Sequence, residues 1–114
     1  MEFRIYDGII CCSGDGIVHE VVNAIYHRED SEEFLNTVPI GVIPGGTSNG
    51  YAKSISEASG EICNPENCAF IIAKSQVKEV DVFEIETISR EKKIYSFLSV
   101  AWGIIADIDL ESER

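Results

Sequence analysis

Two stretches, IYDGIICCSGDG at residues 5–16 and PIGVIPGGTSNG at residues 39–50, decide the fold. Each is a short apolar run that stops abruptly at a cluster of glycines and hydroxyl side chains. Residues 5–12 read as a buried strand bounded by Ser13-Gly14-Asp15-Gly16, and residues 39–43 as a second strand ending in the loop Pro44 to Gly50. Beyond the first loop, Val18, Val21, Val22 and Ile25 recur at helical spacing, which predicts an amphipathic helix over residues 17–27. Beyond the second, a short helix is expected around Tyr51 to Ile55. A strand, a glycine loop and a helix, used twice, predict a layered α/β unit whose loops gather at the strand ends and form a site there.

Outward from this pair, the acidic stretch Glu29 to Glu33 reads as a solvated connection. Asn64-Pro65 is a helix start, with Asn64 as N-cap and Pro65 at the first helical position. The helix Glu66 to Lys74 is expected to turn Phe70, Ile71 and Ala73 inward. From Val77 the texture becomes β. Val80 and Val82 share one face while Phe83 and Ile85 share the other, so a bulge or a change of sheet is expected between Val82 and Phe83. SREKK, residues 89–93, is a polar turn into a second strand, Ile94 to Ala101, and Trp102 is expected in the core.

Composition narrows the partners. With 114 residues, 45% of them hydrophobic and 25% charged, the chain can build one small core. No apolar run approaches the roughly 18 residues of a membrane span. Nine basic against twenty acidic residues give a net charge of −11, which argues against nucleic acid and against an anionic membrane held by charge alone. The same charge constrains any nucleotide site: polyphosphate must be met by backbone N–H groups or a metal ion, because no lysine follows the glycines as it does in a P-loop. Of the four cysteines, Cys11 and Cys12 are expected to pack as small hydrophobes. Cys63 and Cys68 lack neighbouring histidines and are read as structural rather than metal-binding. Without a secretion signal, a reducing cytoplasmic compartment is expected.

Ser13-Gly14-Asp15-Gly16 lies between a strand and a helix N-terminus, where free N–H groups favour an anion such as phosphate; the same four residues are also ordinary turn chemistry. The loop from Pro44 to Gly50 holds three glycines, two hydroxyls and an amide. It reads either as a donor-rich phosphate loop or as a plain connection with Ser48 or Asn49 as helix cap. Two such loops at comparable strand ends point to one shared crevice. His19, beside Glu20, is read as structural, and Asp107 and Asp109 have a bland alternative as solvated loop acids.

DGIICCSGDGIVHEVVNAIYHRED, PIGVIPGGTSNGYAKSI and FLSVAWGIIADIDLESER resemble, in order, three motif blocks of the sphingosine kinases, within the wider diacylglycerol-kinase-like lipid kinases. The resemblance implies a partial α/β nucleotide-binding domain over residues 1–76, followed from 77 to 114 by the start of an antiparallel β-rich lipid-binding domain. It implies ATP and Mg²⁺ as cofactors, a sphingoid long-chain base as substrate, and transient contact with a membrane lipid surface; the alternatives are a ceramide or diacylglycerol kinase, or an inactive fragment acting as a lipid- or protein-binding module. Asp15 corresponds to the catalytic aspartate. Glu20, Gly45, Gly46, Thr47, Ser48 and Asn49 correspond to nucleotide-binding positions. Ser13, Gly14, Gly16, Ser99, Ile104, Ile105 and Asp109 correspond to substrate-binding positions, with Asp109 meeting the amino-alcohol head. Two positions depart from the resembled pattern: Gly46 stands where alanine is frequent, read as a mild change, and Ser48 where glycine is common, read as stiffening or narrowing the loop. The rest of the implied nucleotide and lipid domains lies beyond these 114 residues, so the chain alone is expected to be inactive.

Overall fold

The computed structural model describes residues 5–86, 93–101 and 103–112. Trp102 and most of the SREKK turn lie outside these residues, as do the side chains of Ile105 and Asp109.

The first strand, β1, spans Ile9–Ser13, and the second, β2, spans Ile40–Pro44; they pair in parallel. The register sets Cys11 opposite Val42 and Ser13 opposite Pro44, so both strands end level. Alternation then divides the faces. Cys11 and Val42 are buried, whereas Ile10 and Cys12 are exposed. The expectation that both thiols pack inside therefore holds for Cys11 only, because neighbours along a strand point to opposite sides. Burial raises the Cys11 thiol pKa above its usual value.

Between the strands run two helices. Helix α1 covers Asp15–Tyr26, starting two residues earlier than periodicity indicates, and buries Val18, Val22 and Ile25. Helix α2 covers Ser31–Thr37 and replaces the second half of the expected acidic connection. Asp30 occupies its N-cap position and Glu32 and Glu33 its first turn, where negative charge suits the helix N-terminus. Phe34 and Val38, one turn apart, anchor α2 in a cluster with Ile25. The acidic run is thus the solvent face of a helix start.

After β2, helix α3 spans Gly50–Ala58 and α4 spans Pro65–Ala73. The Asn64-Pro65 start is as expected: the Asn64 side chain accepts from the Asn67 N–H at 2.7 Å and Pro65 opens the helix. The inward face of α4 differs. Cys68 is buried and Ile71 and Ile72 are half-buried, whereas Phe70 is 53% exposed, with the Lys74 ammonium over its ring, and Ala73 is exposed. Ile72 lies so close over β2 that a methyl group at Gly41 would sit 2.9 Å from it. Cys11, Val18, Val22, Val42, Ala52 and Cys68 form the main core.

After α4 comes a small antiparallel pair, β3 (Phe83–Ile85) and β4 (Ile94–Ser96). The alternation slip before Phe83 marks the point where strand begins, with Val77 to Val82 irregular. The second strand ends at Ser96, not Ala101, and helix α5, Ile104–Ser112, follows a turn in which Gly103 takes φ +82°. Asp107 lies in the first turn of α5, so Asp107 and Asp109 stand on a helix and not in a loop. The order is therefore mixed α/β, a parallel β-α-β segment followed by an antiparallel pair.

Candidate functional site

Because β1 and β2 end level, the two glycine loops leave the sheet side by side. The ladder runs one step further, with the Gly45 N–H donating to Ser13 O at 3.2 Å. Across the gap the Asp15 N–H donates to Ser48 O at 3.2 Å. Only glycine permits this approach. A methyl group at Gly46 would sit 2.4 Å from Gly14 Cα and 2.6 Å from its nitrogen, and one at Gly14 would meet Ser48 O at 2.9 Å. The same atom on Gly45 finds its nearest neighbour at 3.5 Å, an ordinary contact. Alanine at position 46 is therefore no mild change; position 45 is where it fits.

Asp15 opens α1, yet its carboxylate serves a different helix. Oδ2 accepts from the Gly50 N–H at 2.7 Å and the Ser48 hydroxyl at 2.9 Å, and Oδ1 accepts from the Tyr51 N–H at 3.0 Å. Gly50 and Tyr51 are the first two residues of α3, so Asp15 caps that helix from across the crevice. Neither local candidate does so. Asn49 stands at the N-cap position without a side-chain cap bond. Instead its amide folds back on the loop, accepting from the Gly46 N–H at 3.1 Å and donating to Gly46 O. Ionised carboxylate at a helix N-terminus is favoured by both hydrogen bonding and the helix dipole.

This network takes up the N–H groups of Gly45, Gly46, Gly50 and Tyr51. Among the described residues, the N–H groups of Thr47, Ser48 and Asn49 make no hydrogen bond within the protein, nor do those of Gly16 and Ile17 at the start of α1. From the loop an open cavity of 670 Å³ extends along α3, lined by Thr47, Ser48, Asn49, Gly50 and Lys53 and, further on, by Glu57, Glu61, Ile62 and Cys63. Lys53 is a residue the sequence reading passed over. It stands one helical turn beyond the last glycine, outside the P-loop pattern, and its ammonium is exposed and 4.0 Å from Glu57.

The structure thus brings together Ser13, Gly14, Asp15, Gly45, Gly46, Ser48 and Asn49, with Thr47 at the exposed loop tip. Gly16 follows Asp15 on α1, and a methyl group there would meet nothing within 4 Å. Glu20 is an exposed residue further along α1. Ser99 is exposed beyond β4 and its carbonyl accepts from the Ser96 hydroxyl at 3.4 Å. Ile104 is 75% exposed at the start of α5. The neighbouring Leu98 does reach the crevice: its methyl groups lie 3.9 and 4.0 Å from where a Gly50 Cβ would stand, and Asp15 Oδ2 lies 3.4 Å from the same point. His19 is occupied structurally, with Nε2 3.3 Å from the Asn23 amide.

Residues 1–85 match the sequence profile of the diacylglycerol kinase catalytic domain. The chain belongs to that family. Over its whole length it is 43% identical to sphingosine kinase 1 of Arabidopsis thaliana, covering 23% of that protein. It is 38% identical over its whole length to sphingoid long chain base kinase 4 of Schizosaccharomyces pombe, again covering 23%. Against sphingosine kinase 1 of Mus musculus the identity is 34%, over 99% of the chain and 30% of the mouse protein. The chain therefore spans about a quarter of the length of these curated relatives. The loop pair built around Asp15 lies within the matched region. Among the described residues no helix is long and apolar enough to cross a membrane.

Proposed function

We propose that this chain supplies the catalytic loops of an ATP-dependent lipid kinase that phosphorylates the primary hydroxyl of a sphingoid long-chain base. The observation that carries the reading is the half-buried Asp15 carboxylate at the meeting point of two glycine loops. Its three hydrogen bonds use three of the about four acceptor positions of an ionised carboxylate, leaving about one for a substrate hydroxyl. In the transfer, the lipid oxygen forms a bond to the γ-phosphorus as the bond to the bridging oxygen breaks. The electron pair leaves with ADP, and the hydroxyl proton passes to Asp15. Such chemistry needs positioning and charge stabilisation above all, which a carboxylate fixed by backbone donors provides.

The loop Gly45, Gly46, Thr47, Ser48 and Asn49, with the N–H groups of its last three residues left for a ligand, suits the phosphates, and Glu20 would stand on the nucleotide side. Ser13, Gly14 and Gly16 border the reacting hydroxyl. Ser99, Ile104, Ile105 and Asp109 belong to the lipid side, where a carboxylate at Asp109 would favour a cationic amine over the neutral amide of ceramide. Residues 1–76 form the nucleotide part and 77–114 open the lipid part. Among the described residues no cluster of three or more histidine, cysteine or acidic side chains is placed to hold a metal. Mg²⁺ is held chiefly by phosphate and water oxygens with one or two carboxylates, so the lack of a dedicated cluster suits an ion arriving on the nucleotide. When bound, the ion neutralises phosphate charge. A cytoplasmic protein that touches membrane lipid transiently fits this chemistry.

The test is transfer of labelled γ-phosphate from ATP by the full-length protein, with sphingosine, ceramide and diacylglycerol offered separately. Label on sphingosine and little on the others is expected. Label on diacylglycerol alone overturns the substrate assignment, and label on none of the three overturns the activity.

A further inference from the structure

One side chain far from the loops joins the two parts of the molecule. Asn23, two turns along α1 from Asp15, takes both backbone groups of Tyr95 in β4. Its Oδ1 accepts from the Tyr95 N–H at 2.8 Å and its Nδ2 donates to Tyr95 O at 2.8 Å. The same Nδ2 donates to His19 O at 2.9 Å, which fixes the amide's orientation. An antiparallel neighbour would exchange the same two bonds with one residue of an edge strand. Asn23 therefore stands where a third strand would pair with β4 in the two-stranded β3–β4 sheet.

Aromatic contacts surround this joint. The Tyr95 ring stacks on Tyr26 at 4.1 Å, His27 meets it edge-on at 6.0 Å, and Phe97 packs against Tyr51 at 4.9 Å. Ring stacking tolerates sliding, and a strand that slips by two residues keeps the same side chains on the same face. Such a slip moves the following chain by roughly 6.6 Å, at about 3.3 Å per residue. The paired amide opposes it, because a slip must break both bonds at once and part the Tyr26–Tyr95 stack. Leu98 and Ser99 lie three and four residues beyond Tyr95, and Asp15 opens the helix that carries Asn23.

We propose that Asn23 is a positioning residue for the acceptor lipid: by locking Tyr95 to α1 it sets the distance between Asp15 and the segment just beyond β4, Leu98 and Ser99. This rests on the lipid-kinase reading above for the identity of the acceptor, a long-chain amino alcohol. Asn23 touches no substrate. It acts through β4, and its removal disturbs the lipid side of the site while leaving the glycine loops bonded to Asp15.

The test uses the full-length protein with Asn23→Asp, which cannot donate to Tyr95 O, Asn23→Leu, which lacks both groups, and Asn23→Gln, which keeps both on a longer arm. Steady-state kinetics are measured with sphingosine and ATP varied in turn. Asp and Leu at this position are expected to lower kcat/KM for sphingosine at least tenfold while the KM for ATP stays within twofold, and Gln to recover part of the loss. Lipid and ATP constants moving together, or neither moving in folded variants, overturn the proposal. Amide hydrogen exchange in the wild-type protein reads the joint alone, whatever the substrate and whether or not the variants fold. The Tyr95 N–H is expected to exchange far more slowly than an exposed amide; exchange at the unprotected rate overturns the lock even if the lipid-kinase reading stands. If the protein labels no sphingoid base while Tyr95 is protected, the substrate reading has failed and the lock has not.

Discussion

Replacing Asp15 with asparagine does more than remove the proposed proton acceptor, and the structure allows the second effect to be sized. The amide offers one acceptor where the carboxylate offered two. With its oxygen at the Oδ2 position it keeps the Gly50 N–H and the Ser48 hydroxyl, but its NH₂ then faces the Tyr51 N–H across the 3.0 Å now occupied by a hydrogen bond. Turned over, the NH₂ faces the Gly50 N–H across 2.7 Å, and only the Ser48 hydroxyl can rotate to accept. Either way one N–H of the first turn of α3 loses its partner at a half-buried position, a loss of about 1–3 kcal/mol. The lost charge at the helix N-terminus adds a further ~0.3–1 kcal/mol. Part of this is recovered by water, so a total near 2 kcal/mol is the expected order.

The assay is urea denaturation of the full-length protein followed by circular dichroism, with midpoints compared at equal slope. Asp15→Asn should shift the midpoint downward by the equivalent of roughly 1–3 kcal/mol and reduce phosphate transfer by about 10²–10⁴-fold. Ser48→Ala is the control. It removes one donor and leaves both helix N–H groups bonded to Asp15, so a stability change below about 1 kcal/mol is expected. An Asp15→Asn protein as stable as the wild type would refute the cross-crevice cap. One that keeps more than a tenth of wild-type transfer would refute Asp15 as proton acceptor.

Two further substitutions separate neighbours in sequence by their surroundings. Gly46→Ala should destabilise by about 1–3 kcal/mol and abolish most transfer, because its methyl group meets Gly14 Cα at 2.4 Å. Gly45→Ala, with 3.5 Å of clearance, should leave stability and transfer nearly unchanged; equal effects in the two variants count against the loop packing. At the hairpin, hydrogen bonding to the Lys93 ammonium, then to Tyr95, holds the Glu84 carboxyl pKa below its usual range. A lowered folded value means that this contribution to stability is present above the ordinary glutamate range and is lost as pH falls through the lowered one. Lys93→Met should move the Glu84 carboxyl resonance titration upward by NMR, and an unchanged titration would show that the pair is not formed in solution.

How far these features are legible in the chain depends on the sequence distance over which they are decided. The two strand-loop-helix units follow from local pattern, and Asn64-Pro65 carries its own start signal, so those elements fall within a few residues of expectation. Helix α2 did not, because acidic residues read as solvated whether they sit in a loop or on the first turn of a helix; only Phe34 and Val38 distinguish the two, and a single i, i+4 pair is a weak signal. The site shows the same division. That Asp15, Gly46 and Ser48 belong together is suggested by two similar loops. That Asp15 caps α3, displacing both Ser48 and Asn49 from that role, depends on a partner 35 residues away. That Gly46 differs from Gly45 depends on Gly14 in the opposite loop, and the Asn23–Tyr95 joint spans 72 residues.

What converts two weak loop motifs into one site is the strand register. Had β2 been displaced along β1 by two residues, its buried face would be unchanged and the core would still close, yet the loops would leave the sheet at different heights. Ser13 opposite Pro44 removes that freedom. The Gly14–Gly46 contact then admits no side chain between the loops, and the Asp15 carboxylate reaches the start of α3 only at this alignment. Register, glycine contact and cap therefore constrain one another. The loops are held by the sheet, and the cap in turn penalises any slip of the sheet. A carboxylate fixed in this way has little to reorganise when a hydroxyl arrives, which is the property a proton acceptor in phosphoryl transfer needs. The helix cap and the proposed proton-accepting role of Asp15 rest on the same three hydrogen bonds.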